Sequence, residues 1–192
     1  MKLRLTKLAV FLAALIPVGR LVWKYFHDSL GANPIEFITH STGDWTLLFV
    51  LGTLSITPLR RLTRQYWLIS LRRMLGLFAF FYGTLHFLTY IWLDKFFDLR
   101  EIWKDIFKRP FITIGFSAFI LMVPLALTST TWSIRRLGGK NWQRLHRLIY
   151  LTAILGVIHY YWLVKADHRK PLEYAAALGI LLLYRIVAWI GG

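Results

Sequence analysis

The 192-residue sequence predicts an all-α integral membrane protein: a six-span helical bundle with its N-terminus on the cytoplasmic side. Three observations carry this prediction. Hydrophobic residues make up 57% of the chain and mean hydropathy is +0.51, whereas a soluble nucleic-acid binder with the same pI, near 10.5, would carry its cations on a polar core. At roughly 20 apolar residues per spanning helix, the length has room for about six spans and for no soluble domain beside them. The 24 Lys and Arg residues against 9 Asp and Glu, a net charge of +15, are also sorted along the chain by side.

The predicted spans cover residues 8–26, 44–59, 74–93, 111–129, 148–163 and 172–190. The first follows Lys2, Arg4 and Lys7, and because no small-residue cleavage site follows Trp23, Lys24 and Tyr25 it reads as a retained signal anchor. Five arginines (Arg60, Arg61, Arg64, Arg72, Arg73) lie in the second connection, and five cations (Arg135, Arg136, Lys140, Arg144, Arg147) in the fourth. With the N-terminal three they make thirteen cations on one side, cytoplasmic by the positive-inside rule, while all nine acids fall on the other. Trp23, Trp45, Trp92 and Trp162 mark the outer interface and Trp67, Trp132, Trp142 and Trp189 the inner one, as an anchoring belt. The third connection, 94–110, alternates aromatic pairs with charges at helical spacing and predicts an amphipathic helix on the outer surface, either an anchor or a docking surface.

Some chemistries are excluded. Cysteine is absent, which removes disulfides, thiolate zinc sites, iron–sulfur clusters and covalent haem attachment. No Gly-rich strand-to-helix turn of a dinucleotide-binding unit is present, so reactions of NAD(P)H belong to another polypeptide. No acid lies deep within a span, which argues against a carboxylate proton relay.

Segments 72–87 (RRMLGLFAFFYGTLHF) and 145–160 (LHRLIYLTAILGVIHY) align without gaps as a weak internal repeat, each carrying Gly-x-x-His: Gly83 with His86, and Gly156 with His159. An ionisable residue within a span is costly and is a functional candidate by default. At about 1.5 Å per residue, His86 and His159 lie within roughly 5 Å of one depth, in the outer leaflet. Two neutral imidazoles from facing helices can take both axial positions of a haem iron, which places the predicted cofactor, haem b, between spans three and five. Glycine at i−3 shares the ligand's helix face, so Gly83 and Gly156 leave room for a porphyrin edge; close helix packing is their alternative use. Each His has its own alternative, a hydrogen bond to a neighbouring helix. His146, thirteen residues before His159, is off its face by about 220°, and its repeat counterpart is Arg73. It is a candidate ligand to a second haem or a member of a polar rim with Trp142, Gln143 and Arg144. The arginines of that rim suit haem propionates, the phosphate of flavin mononucleotide (FMN), or topology alone. Arg20 snorkels or meets a propionate.

At these residues the chain resembles the MsrQ (YedZ) family, haem-binding membrane subunits of bacterial protein-methionine-sulfoxide reductase systems, within the ferric-reductase-like transmembrane group. The matching stretches are GANPIEFITHSTG (31–43), ITPLRRL (56–62), RRMLGLFAFFYGTLHF (72–87), RPFITIG (109–115), LTSTTW (127–132) and WQRLHRLIYLTAILGVIHYYWLVK (142–165). The resemblance implies one domain over 1–192, in the bacterial inner membrane, with b-type haem, one or two, and FMN as cofactors. It implies electron transfer from the quinone pool or a cytoplasmic flavin reductase to a periplasmic molybdopterin catalytic subunit that reduces methionine sulfoxide in oxidised proteins. The subunit would have no substrate-reducing site of its own. The family's haem-associated histidines fall on His86, His146 and His159; Arg73 stands where the wider group has a fourth. Aromatic residues Tyr82, Phe87, Tyr90, Tyr160 and Tyr161 are expected to pack round the macrocycle. The competing readings are a haem reductase module for another acceptor such as ferric iron, a small multipass transporter, and a haem-free scaffold.

Overall fold

The computed structural model describes residues 2–190, and among these every regular element is helical. In chain order they are α1 (Lys2–Phe26), α2 (Pro34–Thr63), α3 (Arg72–Leu88), α4 (Leu99–Lys108), α5 (Pro110–Leu127), α6 (Thr131–Leu137), α7 (Gly139–His146), α8 (Leu148–Leu163) and α9 (Arg169–Ile190). A 3₁₀ segment, Tyr66–Leu71, leads into α3, and a π-helical segment, Thr89–Asp94, extends it.

Local chemistry sets the boundaries. Asn33 caps α2 by accepting the Glu36 amide while Pro34 supplies the preset first-turn φ. Asp98 accepts the amides of Arg100 and Glu101 and starts α4. Thr130 does the same for α6 through Ser133. At Arg64 a left-handed φ of 59° stops α2.

Four stretches are long and apolar enough to cross a membrane: Leu3–Phe26, Tyr66–Asp94, Pro110–Leu127 and Arg169–Ile190. They coincide with the predicted first, third, fourth and sixth spans. The other two predicted spans differ for physical reasons. The second is contained in α2, which is 30 residues long and carries Glu36, Asp44, Arg60 and Arg61; the fifth is α8, only 16 residues, or about 24 Å of helix. Large apolar side chains face outward on the long helices, including Phe11 and Leu12 of α1, Ile120 of α5 and Ile180, Leu183 and Val187 of α9. Such a surface suits acyl chains, which makes the chain a multi-pass membrane protein.

The interior is built from two antiparallel pairs, α2 with α3 and α5 with α8, packed against each other through α3 and α5. At their centre Val50, Leu54, Ala79, Tyr82 and Ala153 are all but inaccessible. Phe49 stacks on Tyr82 with centroids 5.3 Å apart. Between helices in a membrane, such contacts and hydrogen bonds hold the bundle, because lipid tails compete equally for apolar surface. Tyr82 ties the peripheral α1 to this centre: its hydroxyl donates to the Ala14 carbonyl (2.7 Å) and accepts from the Val18 amide (3.2 Å), on either side of Pro17.

A second tie answers another proline. Pro58, inside α2, has no N–H for the carbonyl four residues earlier, that of Leu54. Arg185 of α9 donates to that carbonyl at 3.1 Å and to the Tyr150 hydroxyl of α8 at 2.6 Å. One guanidinium therefore joins three helices.

The expected amphipathic segment is α4. Ile102 and Ile106 are buried while Trp103 and Phe107 are exposed. Asp105 anchors it, with Lys95 at 2.7 Å, Arg109 at 3.4 Å and the Tyr90 hydroxyl donating at 3.4 Å. Burial alone would raise the Asp105 carboxyl, but the Lys95 hydrogen bond and charge, with Arg109, hold it below the usual carboxylate range.

Candidate functional site

The α2–α3 and α5–α8 pairs enclose a cavity of about 410 Å³, within the range of cofactor pockets. His86 and His159 both line it, as do Gly83 and Gly156. The rings face each other with centroids 6.0 Å apart and planes at 78°. The apolar wall comes from Phe87 of α3, from Phe111, Phe116, Phe119 and Met122 of α5, and from Leu47 of α2; Asp44, Asp94 and Arg109 supply charge to the lining.

Each imidazole is held by a backbone carbonyl. His86 Nδ1 lies 2.9 Å from the Thr39 carbonyl of α2 and His159 Nδ1 lies 2.7 Å from the Phe111 carbonyl of α5. A carbonyl only accepts, so Nδ1 carries the proton in both rings and Nε2 keeps its lone pair. The hydrogen bond that is each histidine's alternative role is thus present, and it leaves Nε2 without a partner. The donor–acceptor separations, 47 and 48 residues, are nearly equal, so the two halves hold their histidines in the same way.

The glycines serve packing as well as the cavity. A Cβ on Gly156 would stand 2.9 Å from Leu47 Cδ2, and one on Gly83 would make ordinary contact with Thr46 and Met122. Sequence reasoning missed Gly43 and Gly115, where an added Cβ would press on the His86 and His159 imidazoles. A signal was available: the stretches 31–43 and 109–115 each end on one of them.

His146 is elsewhere. It closes α7, a different helix from the α8 that carries His159, and it does not line the cavity. Its Nε2 is 2.9 Å from the Thr128 hydroxyl, and its ring stacks on Trp142 at 3.8 Å. Trp142 in turn donates to the Thr128 carbonyl at 2.8 Å. Burial and the nearby Arg72 hold His146 below its ordinary pKa, favouring the neutral ring. Of the aromatics expected round the cavity, Phe87, Tyr90 and Tyr160 line it. Tyr82 is instead committed to α1, and Tyr161 is exposed and packs on His168 at 4.6 Å. Arg20 lines a separate surface recess with Lys24 and Trp45. Among the described residues no group of three or more His, Cys, Asp or Glu gathers as a metal site.

Fold and site together define a multi-pass helical membrane protein organised round a facing histidine pair. A family model described as "Ferric reductase like transmembrane component" matches residues 39–157. Three relatives carry the name "Protein-methionine-sulfoxide reductase heme-binding subunit MsrQ". That of Herminiimonas arsenicoxydans is 58% identical over 191 residues, covering 98% of this chain and 88% of the relative. That of Ralstonia nicotianae is 54% identical, over 96% of this chain and 86% of its own, and that of Rhodospirillum rubrum 52%, over 96% and 88%. No solved structure matches the chain. The chain belongs to the MsrQ family, within the ferric-reductase-like transmembrane group.

Proposed function

We propose that the chain is a membrane electron-transfer subunit that binds b-type haem through His86 and His159 and serves a methionine sulfoxide reductase on the periplasmic side. The observation that carries this reading is the facing pair of imidazoles, each with Nδ1 bonded to a carbonyl and Nε2 bare. The name shared by the relatives supports both the haem and the reductase partner.

The residues fit the group. Two imidazole nitrogens at ~2 Å from one metal put ring centroids about 6 Å apart, and the observed separation is 6.0 Å. When bound, haem would supply a one-electron iron couple, and ligation by both histidines would suit electron transfer more than substrate chemistry. His86 and His159 would hold the haem iron through Nε2. Gly83 and Gly156 present no side chain to the cavity they line, and Phe87, Phe111 and Phe116 give it an apolar wall. His146, its Nε2 engaged by Thr128 and its repeat partner an arginine, is assigned to the inner rim, so we count one haem. No step is assigned to flavin mononucleotide: of the rim arginines, Arg135, Arg136 and Arg144 are exposed, whereas Arg60 keeps a buried Nε without a partner.

The remainder of the proposal rests on charge distribution and on the family resemblance. It comprises six spans with α2 and α8 held inside the bundle, a cytoplasmic N-terminus, the inner membrane, a molybdopterin-containing partner, and a donor that is the quinone pool or a cytoplasmic flavin reductase. Each sulfoxide reduced takes up two electrons and two protons and releases water, so the subunit must deliver its electron twice.

The test is a dithionite-reduced minus oxidised spectrum of the purified chain, followed by addition of the periplasmic subunit and methionine sulfoxide. A low-spin haem spectrum that reoxidises only when both are present is expected. A chain without a redox-active Soret band refutes the haem, and a reduced haem that stays reduced refutes the acceptor.

A further inference from the structure

The backs of the two histidine rings rest on glycines in the partner helices. Gly43 lies four residues after Thr39, and Gly115 four after Phe111, so each glycine amide shares a helical turn with the carbonyl that accepts from a histidine. A Cβ at 43 would stand 3.2 Å from His86 Cε1 and 3.3 Å from its Nδ1. A Cβ at 115 would stand 2.6 Å from His159 Nδ1 and 2.8 Å from its Cε1. A side chain there would push the imidazole off the turn whose carbonyl it uses.

We propose that Gly43 and Gly115 are positioning residues for His86 and His159: their missing Cβ atoms let each imidazole lie against a helix turn and donate Nδ1–H to its carbonyl. This rests on the haem reading above. The device occurs twice, at equivalent places in the two halves. Its chemical consequence follows from the acceptor. A carbonyl bonded to Nδ1–H makes Nε2 more basic and fixes the ring's orientation and tautomer. A more basic axial ligand favours the oxidised iron, so displacing the ring from the carbonyl raises the reduction potential and weakens haem retention.

Full-length chain carrying its haem is compared with G43A, G115A, and the controls G52A and G179A, where an added Cβ meets nothing within 4 Å. Haem per chain, the low-spin electron paramagnetic resonance signal and the midpoint potential are read for each. G115A is expected to lose haem affinity by about 10-fold or more. G43A, with the milder clash, should keep most of its haem at a potential shifted to positive values, and G43V should shift it further. The controls should match the parent chain. Should G115A not fold, G43A and G43V decide. Parental potential and signal in haem-loaded G43A and G43V overturn the proposal while leaving the haem reading intact. A parent chain with no redox-active haem overturns both.

Discussion

At the scale of single residues, His86 and His159 differ from His146 in what is left of the imidazole after its hydrogen bond is made. The first two spend Nδ1 on a carbonyl and keep Nε2; His146 has Nε2 against a hydroxyl and its ring face against Trp142. His86→Ala and His159→Ala should therefore each abolish most of the low-spin haem spectrum, while His146→Ala leaves most of it, as measured by pyridine haemochrome content per purified chain. Equal loss in all three would assign His146 to iron. The near-perpendicular rings, at 78°, also predict a highly anisotropic low-spin resonance signal that either single variant removes.

At the scale of elements, the bundle compensates for helix irregularities with side chains from other helices. Pro58 leaves the Leu54 carbonyl without its usual donor, and Arg185 supplies one. Arg185→Met should destabilise the chain by about 1–3 kcal/mol, since Leu54 and Tyr150 both lose a partner. Adding Pro58→Ala, which restores an N–H, should return about 0.5–1.5 kcal/mol of that loss in a double-mutant cycle followed by unfolding in mixed micelles. Strict additivity would separate the two residues. The outer helix α4 depends on a charge instead. The folded state holds Asp105 below its unfolded value, so its contribution is complete above the ordinary carboxylate pKa, about 4, and is lost as pH falls through the lower, folded one. Protection factors in α4, taken relative to intrinsic exchange at each pH, should fall on acidification in that range, and Asp105→Asn should show the lower protection already at pH 7. Unchanged protection in the variant would remove the Lys95–Asp105 bridge as the anchor.

At the scale of the whole molecule, the proposed topology can be tested directly because the chain has no cysteine. Lys140→Cys in α7 and Lys104→Cys in α4 place single thiols at exposed positions in the two opposite connections. An impermeant maleimide should label position 104 from the periplasmic side and position 140 only after the inner face is opened. Labelling of both from one side would overturn the six-span arrangement, the reading that gives α2 and α8 a full crossing despite their polarity and shortness.

How much was legible beforehand depended on the kind of signal. Apolar runs, the sorted charges and the repeated Gly-x-x-His are one-dimensional patterns, and they were enough to predict a helix in each of six apolar stretches, where α1, α2, α3, α5, α8 and α9 stand. They were also enough to single out His86 and His159, because helix rise converts sequence position into depth. Orientation within a helix carries less, as Tyr82 shows: its spacing allowed it toward the cavity, yet its hydroxyl is taken by Ala14 and Val18. What only the tertiary structure decided is the set of cross-helix partners. Thr39 and Phe111 act through backbone carbonyls that every residue possesses, so nothing in their side chains announces them. Gly43 and Gly115 act through an atom they lack. Arg185 satisfies a carbonyl made needy by a proline over a hundred residues away in the chain. The sequence by itself determined a cationic, helical membrane chain with two histidines at one depth. The folded bundle decided which nitrogen of each histidine is free, because that depends on which helix turn lies against the ring.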